Sequence, residues 1–405
     1  MITKDTLVLR SLKENLRTFV FFILKMDYQE VFNQSKEHSI RARYVALRHI
    51  EPLLLCLQKQ GKASVLGHSV LGQPIYVYHS GTGATKIIMW SQMHGNESTT
   101  TKALFDLFNF LDSEKGKELQ KNLSFCIIPM LNPDGAGVWT RNNANDIDLN
   151  RDSQELSQPE SQLLRRCIED FQPDLCFNLH DQRTIFGVEK TKNPATVSFL
   201  APSYDPEKTL NATRKKAMEV IAYMNTTLQS FIPNQVGRFD DGFNINCIGD
   251  TVQHLGIPTV LVEAGHFQGD YLREETRKYV FIALLSALCN FKLNSVLGEK
   301  YLEYFNIPNN MIFFFDFIYR NVKLNYENSQ IITNFAVHYF EKVEKQSILF
   351  EALVKEIGSL EGFHGHFEWD AKGEEYQGIE NNFPEVGQKA DFVIGTQQFK
   401  NGVPL

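Results

Sequence analysis

The stretch KIIMWSQMHGNESTTTKALFDLFNFL, residues 86–111, changes its pattern half-way along. Residues 86–92 are mostly apolar, which predicts a buried strand. Residues 98–111 carry large apolar side chains three and four residues apart, which predicts a helix with one apolar face. A buried strand followed by a helix is the repeating unit of an α/β fold. The predicted apolar face consists of Leu104, Leu107, Phe108 and Leu111.

The same alternation continues along the chain in both directions. Apolar runs predict further strands, and amphipathic segments predict further helices. Strands that are apolar throughout belong to a sheet covered on both faces, so the expected class is α/β with a mostly buried sheet between helices. The predicted strands are two within 64–80, then 123–131, 174–180 and 259–265, and the predicted helices are 28–60, 159–171 and 270–291.

Composition limits the classes of function. The 405 residues are 43% hydrophobic and 22% charged, which is ordinary for a soluble globular protein. The net charge of -7 argues against a nucleic-acid partner, and no apolar run approaches the roughly 20 residues of a membrane span. Six scattered cysteines without a C-x-x-C pair do not suggest a disulfide framework. We therefore expect a cytoplasmic protein, with secreted or periplasmic locations as the alternatives.

The pattern divides the chain into three parts. Residues 1–60 are expected to form an N-terminal extension and a helix, with Met26 as an alternative start. Residues 61–295 hold the strand and helix alternation and form the predicted catalytic domain. Residues 296–405 contain short alternating pieces split by glycine and asparagine, which predicts a small β-rich or α+β appendage.

Reactive side chains follow the predicted strands. His94 and Glu97 follow the first of the four central strands, and the motif NPDG at 132–135 follows the second. His180 ends the third, and Glu263 lies near the end of the fourth. Ligands of α/β sheets bind beyond the carboxyl ends of the strands. We therefore expect these groups to lie together at one edge of the sheet.

Their chemistry suits a zinc site. A catalytic zinc takes three protein ligands from His, Asp and Glu and keeps one position open for water. His94 and Glu97 supply two such ligands, and His180 is the natural third. Glu263 stands in an otherwise apolar strand, where a carboxylate is costly unless it has a partner or a role. It could deprotonate a metal-bound water.

Three further candidates, Arg141, Asn150 and Arg151, lie between the second and third of these strands, in LNPDGAGVWTRNNANDIDLNRD at 131–152. Asn150 and Arg151 are adjacent, which suits capture of a carboxylate. Arg141 could stabilise an oxyanion beside the metal. Each candidate also has a structural interpretation. His94 and Glu97 could be loop residues, the arginines surface or salt-bridge residues, and His180 and Glu263 members of the core.

Taken together, HGNE, NPDG…R…DLNR, a strand-terminal histidine and a late glutamate resemble the zinc carboxypeptidase (M14) family, in its bacterial branch. The resemblance covers roughly residues 65–292. It implies a mixed sheet between helices and one zinc ion per chain. It also implies site residues: His94, Glu97 and His180 as zinc ligands, Arg141 on the scissile carbonyl, Asn150 and Arg151 on the substrate's C-terminal carboxylate, and Glu263 as general base and then general acid.

The sequence departs from the family before the predicted base. The family usually has a substrate-contacting tyrosine there, whereas this chain has RFDDGFNINCIGD, with Phe239 and Phe243. The specificity-setting position is expected near Gly249 and Asp250. Asp250 could favour a basic side chain in the substrate, or it could be a structural acid that orders the loop.

The remaining histidines that stand near motifs are expected to be structural. His266 lies three residues after Glu263, where a surface loop is expected. His364 and His366 form an H-x-H motif without a third ligand nearby, so both are expected on the surface of a strand.

The leading functional hypothesis is a zinc-dependent metallocarboxypeptidase that acts on peptides with a free C-terminal carboxylate. An alternative is a zinc amidohydrolase, or deacylase, that acts on N-acyl amino acids. A second alternative is a non-catalytic peptide-binding relative on the same scaffold.

Overall fold

The structure is a computed structural model that describes residues 26–293, 296–326, 329–379 and 381–405. The predicted extension at 1–25 therefore lies outside the described residues. The larger part of the chain is built on a mixed sheet, which has eight strands among the described residues in the order β1-β2-β4-β3-β5-β9-β7-β8. Its strands are β1 Ala63–His68, β2 Pro74–Ser80, β3 Thr85–Ser91, β4 Leu123–Ile128, β5 Leu175–Asp181, β7 Val197–Leu200, β8 Val236–Arg238 and β9 Thr259–Ala264, and the short β6 Phe186–Val188 lies outside it.

The centre of this sheet is parallel. Strands β4, β3, β5 and β9 run in the same direction, whereas β2 and β7 pair antiparallel with β4 and β9. The four central strands and the β1–β2 pair are the predicted ones, so the α/β class with a mixed, buried sheet is confirmed. Strands β7 and β8 were not predicted, because they are only four and three residues long.

Helices cover both faces of the sheet. In β3, Ile87 and Met89 pack into one core while Ile88 and Trp90 pack into the other, because successive side chains of a strand point to opposite faces. All four of these side chains are fully buried. The first core includes α1 Tyr28–Ser35, α2 Leu47–Lys59, α3 Thr99–Asp112, α7 Ala212–Leu228 and α9 Glu274–Leu293, and the second includes α6 Pro159–Phe171 and α8 Ile248–His254. The remaining short helices are α4 Glu114–Gln120 and α5 Pro133–Val138.

The single helix predicted over 28–60 is wrong, since residues 36–46 separate α1 from α2. A buried ion pair holds this connection. Arg277 of α9 contacts Asp106 of α3 through Nε at 2.7 Å and also donates to the carbonyl oxygens of Glu37 and Ile40. Asp106 accepts the Glu37 amide at 2.7 Å. The backbone groups at 37 and 40 are therefore bonded to two buried charges instead of continuing a helix.

The C-terminal part is β-rich, as predicted. The C-terminal sheet has the order β13-β12-β11-β14, and a smaller sheet has the order β15-β16-β17-β18. The two sheets share a core that contains Tyr319, Phe335 and Phe392. The strands are β11 Phe314–Tyr326, β12 Ser329–Glu344, β13 Ser347–Gly358, β14 His364–Asp370, β15 Tyr376–Gln377, β16 Phe392–Ile394, β17 Gln397–Lys400 and β18 Val403–Pro404.

The segment between the two parts packs on the larger one. Tyr304, in a 3-10 helix at Tyr301–Asn306, and Ile307 are buried in the first core. Strand β10, Asn310–Ile312, then pairs antiparallel with β6. Packing therefore associates residues up to about 312 with the α/β part, beyond the predicted boundary at residue 295.

Two expectations from composition concern the described residues. None of their helices is long and apolar enough to cross a membrane. The six cysteines all lie in the described ranges and form no disulfide, and Cys126 and Cys176 are buried.

We expect the Asp106→Ala substitution to destabilise the protein by about 3–5 kcal/mol, because it leaves the buried Arg277 guanidinium without its counter-charge. Urea unfolding followed by circular dichroism measures this loss. The control is Asp112→Ala, which removes a half-exposed partner of Lys62 and should cost less than about 1 kcal/mol. Equal losses in the two variants would contradict a structural role for the buried pair.

Candidate metal centre and substrate cavity

The strand order brings the predicted side chains to one edge of the sheet. His180 and Glu263 are paired residues on the neighbouring strands β5 and β9. His94 and Glu97 lie in the turn between β3 and α3. A cavity of about 480 Å³ opens beyond these strand ends. It is lined by all seven predicted site residues: His94, Glu97, Arg141, Asn150, Arg151, His180 and Glu263.

Three buried side chains form what we call the metal cluster, namely His94, Glu97 and His180. Glu97 Oε1 lies 2.8 Å from His94 Nδ1, and Glu97 Oε2 lies 2.8 Å from His180 Nδ1. The two Nδ1 atoms are 3.1 Å apart. The three ligand atoms lie within 4.8 Å of one another, so a single ion can contact all of them.

The donor set fits zinc. His94 Nε2 lies 3.0 Å from Asp148 Oδ1, and an ionised carboxylate only accepts, so Nε2 carries the proton. The other nitrogen, Nδ1, is then the one that faces Glu97 and His180. A carboxylate behind a histidine is a common support of zinc ligands, because it fixes the tautomer and the orientation of the ring. Two imidazole nitrogens and one carboxylate are the ligands of many catalytic zinc sites.

The charges of the cluster affect one another. Burial opposes ionisation of Glu97, but His94 and His180 outweigh it and hold the pKa of Glu97 well below its usual range. Burial, together with the charges of His94 and Arg141, lowers the pKa of His180, whereas Glu97 and Asp148 together raise the pKa of His94 against burial. Glu97 is therefore an anion that a cation in the cluster can neutralise.

Glu263 is only partly exposed, and its Oε2 is buried without a hydrogen-bond partner among the residues that the structure describes. Burial, together with the nearby carboxylates of Glu97 and Asp181, raises the pKa of Glu263 well above its ordinary value. A carboxyl group with a raised pKa can both accept and return a proton near neutral pH. The position and the electrostatics therefore suit a general base and acid.

The arginines and the asparagine lie on the cavity wall. Arg141 is 46% exposed and contacts Asp148 Oδ2 at 3.0 Å and Glu97 Oε1 at 3.4 Å. Asn150 and Arg151 belong to a 3-10 helix at Leu149–Arg151. Asn150 Oδ1 accepts the Ile248 amide at 3.2 Å, so its side-chain NH₂ group is the part that can donate to a ligand. Arg151 is exposed, and its guanidinium lines the cavity.

Comparison with known proteins agrees with this geometry. The sequence model of the zinc carboxypeptidase family, M14, matches residues 59–177, which include every predicted site residue except His180 and Glu263. This part of the chain is similar to the zinc carboxypeptidase family.

The individual proteins to which the chain is similar match it over only part of their length. Carboxypeptidase SOL1 of Arabidopsis thaliana is 30% identical over 138 residues, which are 28% of this chain and 28% of that protein. A metallo-carboxypeptidase structure from Burkholderia cenocepacia has a TM-score of 0.47 and 20% identity, with 60% of this chain and 68% of that chain covered. A Pseudomonas aeruginosa metallo-carboxypeptidase in complex with (2-guanidinoethylmercapto)succinic acid has a TM-score of 0.48 and 18% identity, with coverage of 60% and 68%.

The fold brings two further acids to the metal cluster that sequence reasoning missed. Asp148 contacts both His94 and Arg141. The signal that the sequence offered for Asp148 was its position in the DLNR motif. Asp181 follows His180, donates its amide to Glu97 Oε2 at 3.1 Å and accepts from the Thr99 amide at 3.0 Å. The sequence gives no comparable signal for Asp181, since its partners are about 80 residues away.

The stretch without the family's usual tyrosine contributes to the same cavity. Phe239 lines the cavity, whereas Phe243 is not among its lining residues. Asp250 lines it as well, is buried, and accepts the Asn244 amide at 3.1 Å. Burial raises the pKa of Asp250 to about 6. Asp250 therefore orders its loop and also faces the cavity, so both interpretations of this acid stay open.

Two histidines expected at the surface are buried, so those predictions are wrong. His266 is 1% exposed, and its ring lies 4.1 Å from the ring of His366. His366 donates from Nε2 to the Thr184 carbonyl at 2.8 Å and stacks on Phe314. The C-terminal sheet covers this part of the α/β unit, and a local sequence pattern does not show such packing. His364 keeps partial exposure.

We expect the purified protein to bind one zinc ion per chain, and His180→Ala to lose it, because two ligands of the cluster do not hold zinc as well as three. Metal analysis after dialysis measures the stoichiometry, and a zinc-dependent rise in melting temperature gives a second readout. His38→Ala, at an exposed position, is the control that should keep the metal. Equal zinc content in His180→Ala and the parent protein would contradict the proposed ligand set.

The pKa of Asp250 predicts that Asp250→Asn increases the stability of the protein by an amount that depends on pH. The folded pKa of about 6 is above the value in an unfolded chain, so the native state favours the protonated acid. Its contribution to stability is present below about pH 4 and is lost as the pH rises through about 6. The substitution should therefore stabilise the protein at pH 7.5 by roughly 1–3 kcal/mol, and hardly at all at pH 4.

Urea unfolding at the two pH values measures this difference. The control is Asp240→Asn, which replaces an exposed acid on the same cavity wall. It should change the free energy of unfolding by no more than about 0.5 kcal/mol at either pH. A loss of stability at pH 7.5 in Asp250→Asn would show that the ionised form is needed in the fold.

Proposed function

We propose that this chain hydrolyses the C-terminal peptide bond of peptides with a free C-terminal carboxylate, as a zinc-dependent metallocarboxypeptidase. One observation carries the proposal. The metal cluster, the acid with a raised pKa and the three donor residues Arg141, Asn150 and Arg151 come from separate segments and line the same cavity. A structural role for each residue alone would not require them to face a common space.

Binding of the substrate carboxylate orients the peptide. Arg151 offers an exposed guanidinium and Asn150 an amide NH₂ group on the wall of the cavity. Charge-assisted bonds from an arginine to a carboxylate are strong and directional. This clamp selects a chain end rather than an internal bond, and it places the last peptide bond toward the metal cluster.

The residues around the cluster have different roles in the reaction. A zinc ion held by His94, Glu97 and His180 supplies Lewis-acid polarisation and a lower pKa for water. Glu263 accepts a proton from the attacking water and returns it to the leaving amine. Arg141 donates to the oxygen that gains negative charge as the carbonyl is attacked. Asp148 keeps His94 and Arg141 in place, because it bonds to both.

The Glu263→Gln variant tests this assignment. It should fold and bind zinc, but kcat should fall by at least about 100-fold, because the amide cannot accept the proton. Release of the C-terminal amino acid from a dipeptide measures the rate, and metal analysis verifies the site. Glu155→Gln, at an exposed position outside the cavity, is the matched control and should retain the parental rate.

The choice of substrates separates the alternatives. A dipeptide, the same dipeptide with an amidated C-terminus and an N-acyl amino acid are compared at equal concentration. A metallocarboxypeptidase cleaves the first and not the second. Faster cleavage of the N-acyl amino acid would favour the amidohydrolase. Peptide binding without turnover in the zinc-loaded protein would favour the non-catalytic relative.

A further inference from the structure

A second cavity, of about 420 Å³, adjoins the metal cluster and is closed in part by the C-terminal sheet. It shares five lining residues with the first cavity, so the two meet beside the cluster. The clamp residues Asn150 and Arg151 line the first cavity and not the second. The shared residues are Glu97, Arg141, Asp181, Gln182 and Arg183.

In this arrangement, the two cavities can bind different parts of a substrate. If the clamp holds the C-terminal residue in the first cavity, the scissile bond lies at the cluster. The residue on the amino side of that bond then enters the second cavity. We propose that the second cavity binds the side chain of this residue and prefers an aromatic or large aliphatic one. This inference rests on the proposed carboxypeptidase function.

Aromatic side chains form one wall of the second cavity, which four arginines also line, namely Arg43, Arg141, Arg183 and Arg273. Trp139 and Tyr271 come from the α/β part, and Tyr339, Phe340 and Phe350 come from the C-terminal sheet. Tyr271, Tyr339 and Phe350 contact one another edge to face, with centroid distances of 4.9–5.9 Å. Phe340 is 57% exposed. A large apolar side chain exposed beside a reactive centre marks a binding surface.

The two acids beside this wall already have partners. Asp316 accepts from the Tyr271 hydroxyl at 3.0 Å and from the Tyr339 amide at 2.9 Å. Glu341 is bound by Arg43, at 3.1 and 3.2 Å, and by the Trp139 indole at 3.3 Å. The surface left for a ligand on this wall is therefore aromatic. A neutral, apolar side chain fits it better than a charged one.

The wall is fixed relative to the metal cluster. Arg43 bonds to Glu341 of β12, and its Nη1 lies 3.6 Å from Asp181 Oδ2. Asp181 follows the proposed ligand His180 and donates its amide to Glu97. One chain of contacts thus joins the C-terminal sheet to the cluster. The sheet is therefore positioned as a part of the substrate site rather than as a remote appendage.

Acetylated dipeptides test the proposal. They share one C-terminal residue and carry Phe, Leu, Ala, Asp or Lys before the scissile bond. For the parent protein, kcat/KM for Phe and Leu should exceed that for Ala by roughly tenfold or more. Phe340→Ala should reduce the Phe-to-Ala ratio by several-fold, and Phe340→Leu should retain most of it. Ile332→Ala is the control, at an exposed position on the same strand outside the cavity, and should change neither rate nor ratio.

The outcomes separate this inference from the function on which it rests. Absence of turnover for every peptide, with zinc bound, would overturn the proposed function and the subsite with it. Turnover with a Phe-to-Ala ratio that Phe340→Ala leaves unchanged would overturn the subsite alone. A preference for Asp that disappears in Arg183→Gln would overturn the apolar subsite in favour of an anionic one at the junction of the cavities.

Discussion

The residue that joins the parts of this molecule is Asp181, at the end of β5. Its amide donates to Glu97, its carboxylate accepts from the first turn of α3 at Thr99, and Arg43 lies beside the same carboxylate. An anion at the N-terminus of a helix satisfies amide groups that have no partner within the helix. The same contacts fix Glu97 between two histidines. Arg43 then extends the connection to Glu341 and the C-terminal sheet.

The arrangement of the strands beneath this network determines the shape of the site. Parallel strands β3, β5 and β9 end at the same edge, so the loops after them meet. The two cores on the faces of the sheet are apolar and fully packed, and they hold the strand ends in register. The polar residues at the edge are therefore presented by a rigid frame, which a metal site with three ligands requires.

In the proposed function, the second cavity gives the C-terminal part a role in substrate binding. Its aromatic wall comes from both parts of the chain, and the two acids beside the wall, Asp316 and Glu341, have hydrogen-bond partners. In that proposal, the substrate's last residue is recognised on one side of the cluster and the preceding residue on the other. Specificity can then change on either side without a change in the metal ligands.

The sequence by itself determined the α/β class, the central strands and the seven residues around the first cavity, because these depend on local periodicity and on short motifs. His94 and Glu97 are three residues apart, so their proximity needs only a turn. The tertiary structure alone decided the break between α1 and α2, the burial of His266 and His366, and the role of Asp148 and Asp181 beside the cluster. It also decided that aromatic residues near 340 line a cavity beside the metal cluster. These features depend on contacts between segments far apart in the chain, such as Arg43 with Glu341, and no local pattern encodes the partner of a long-range contact.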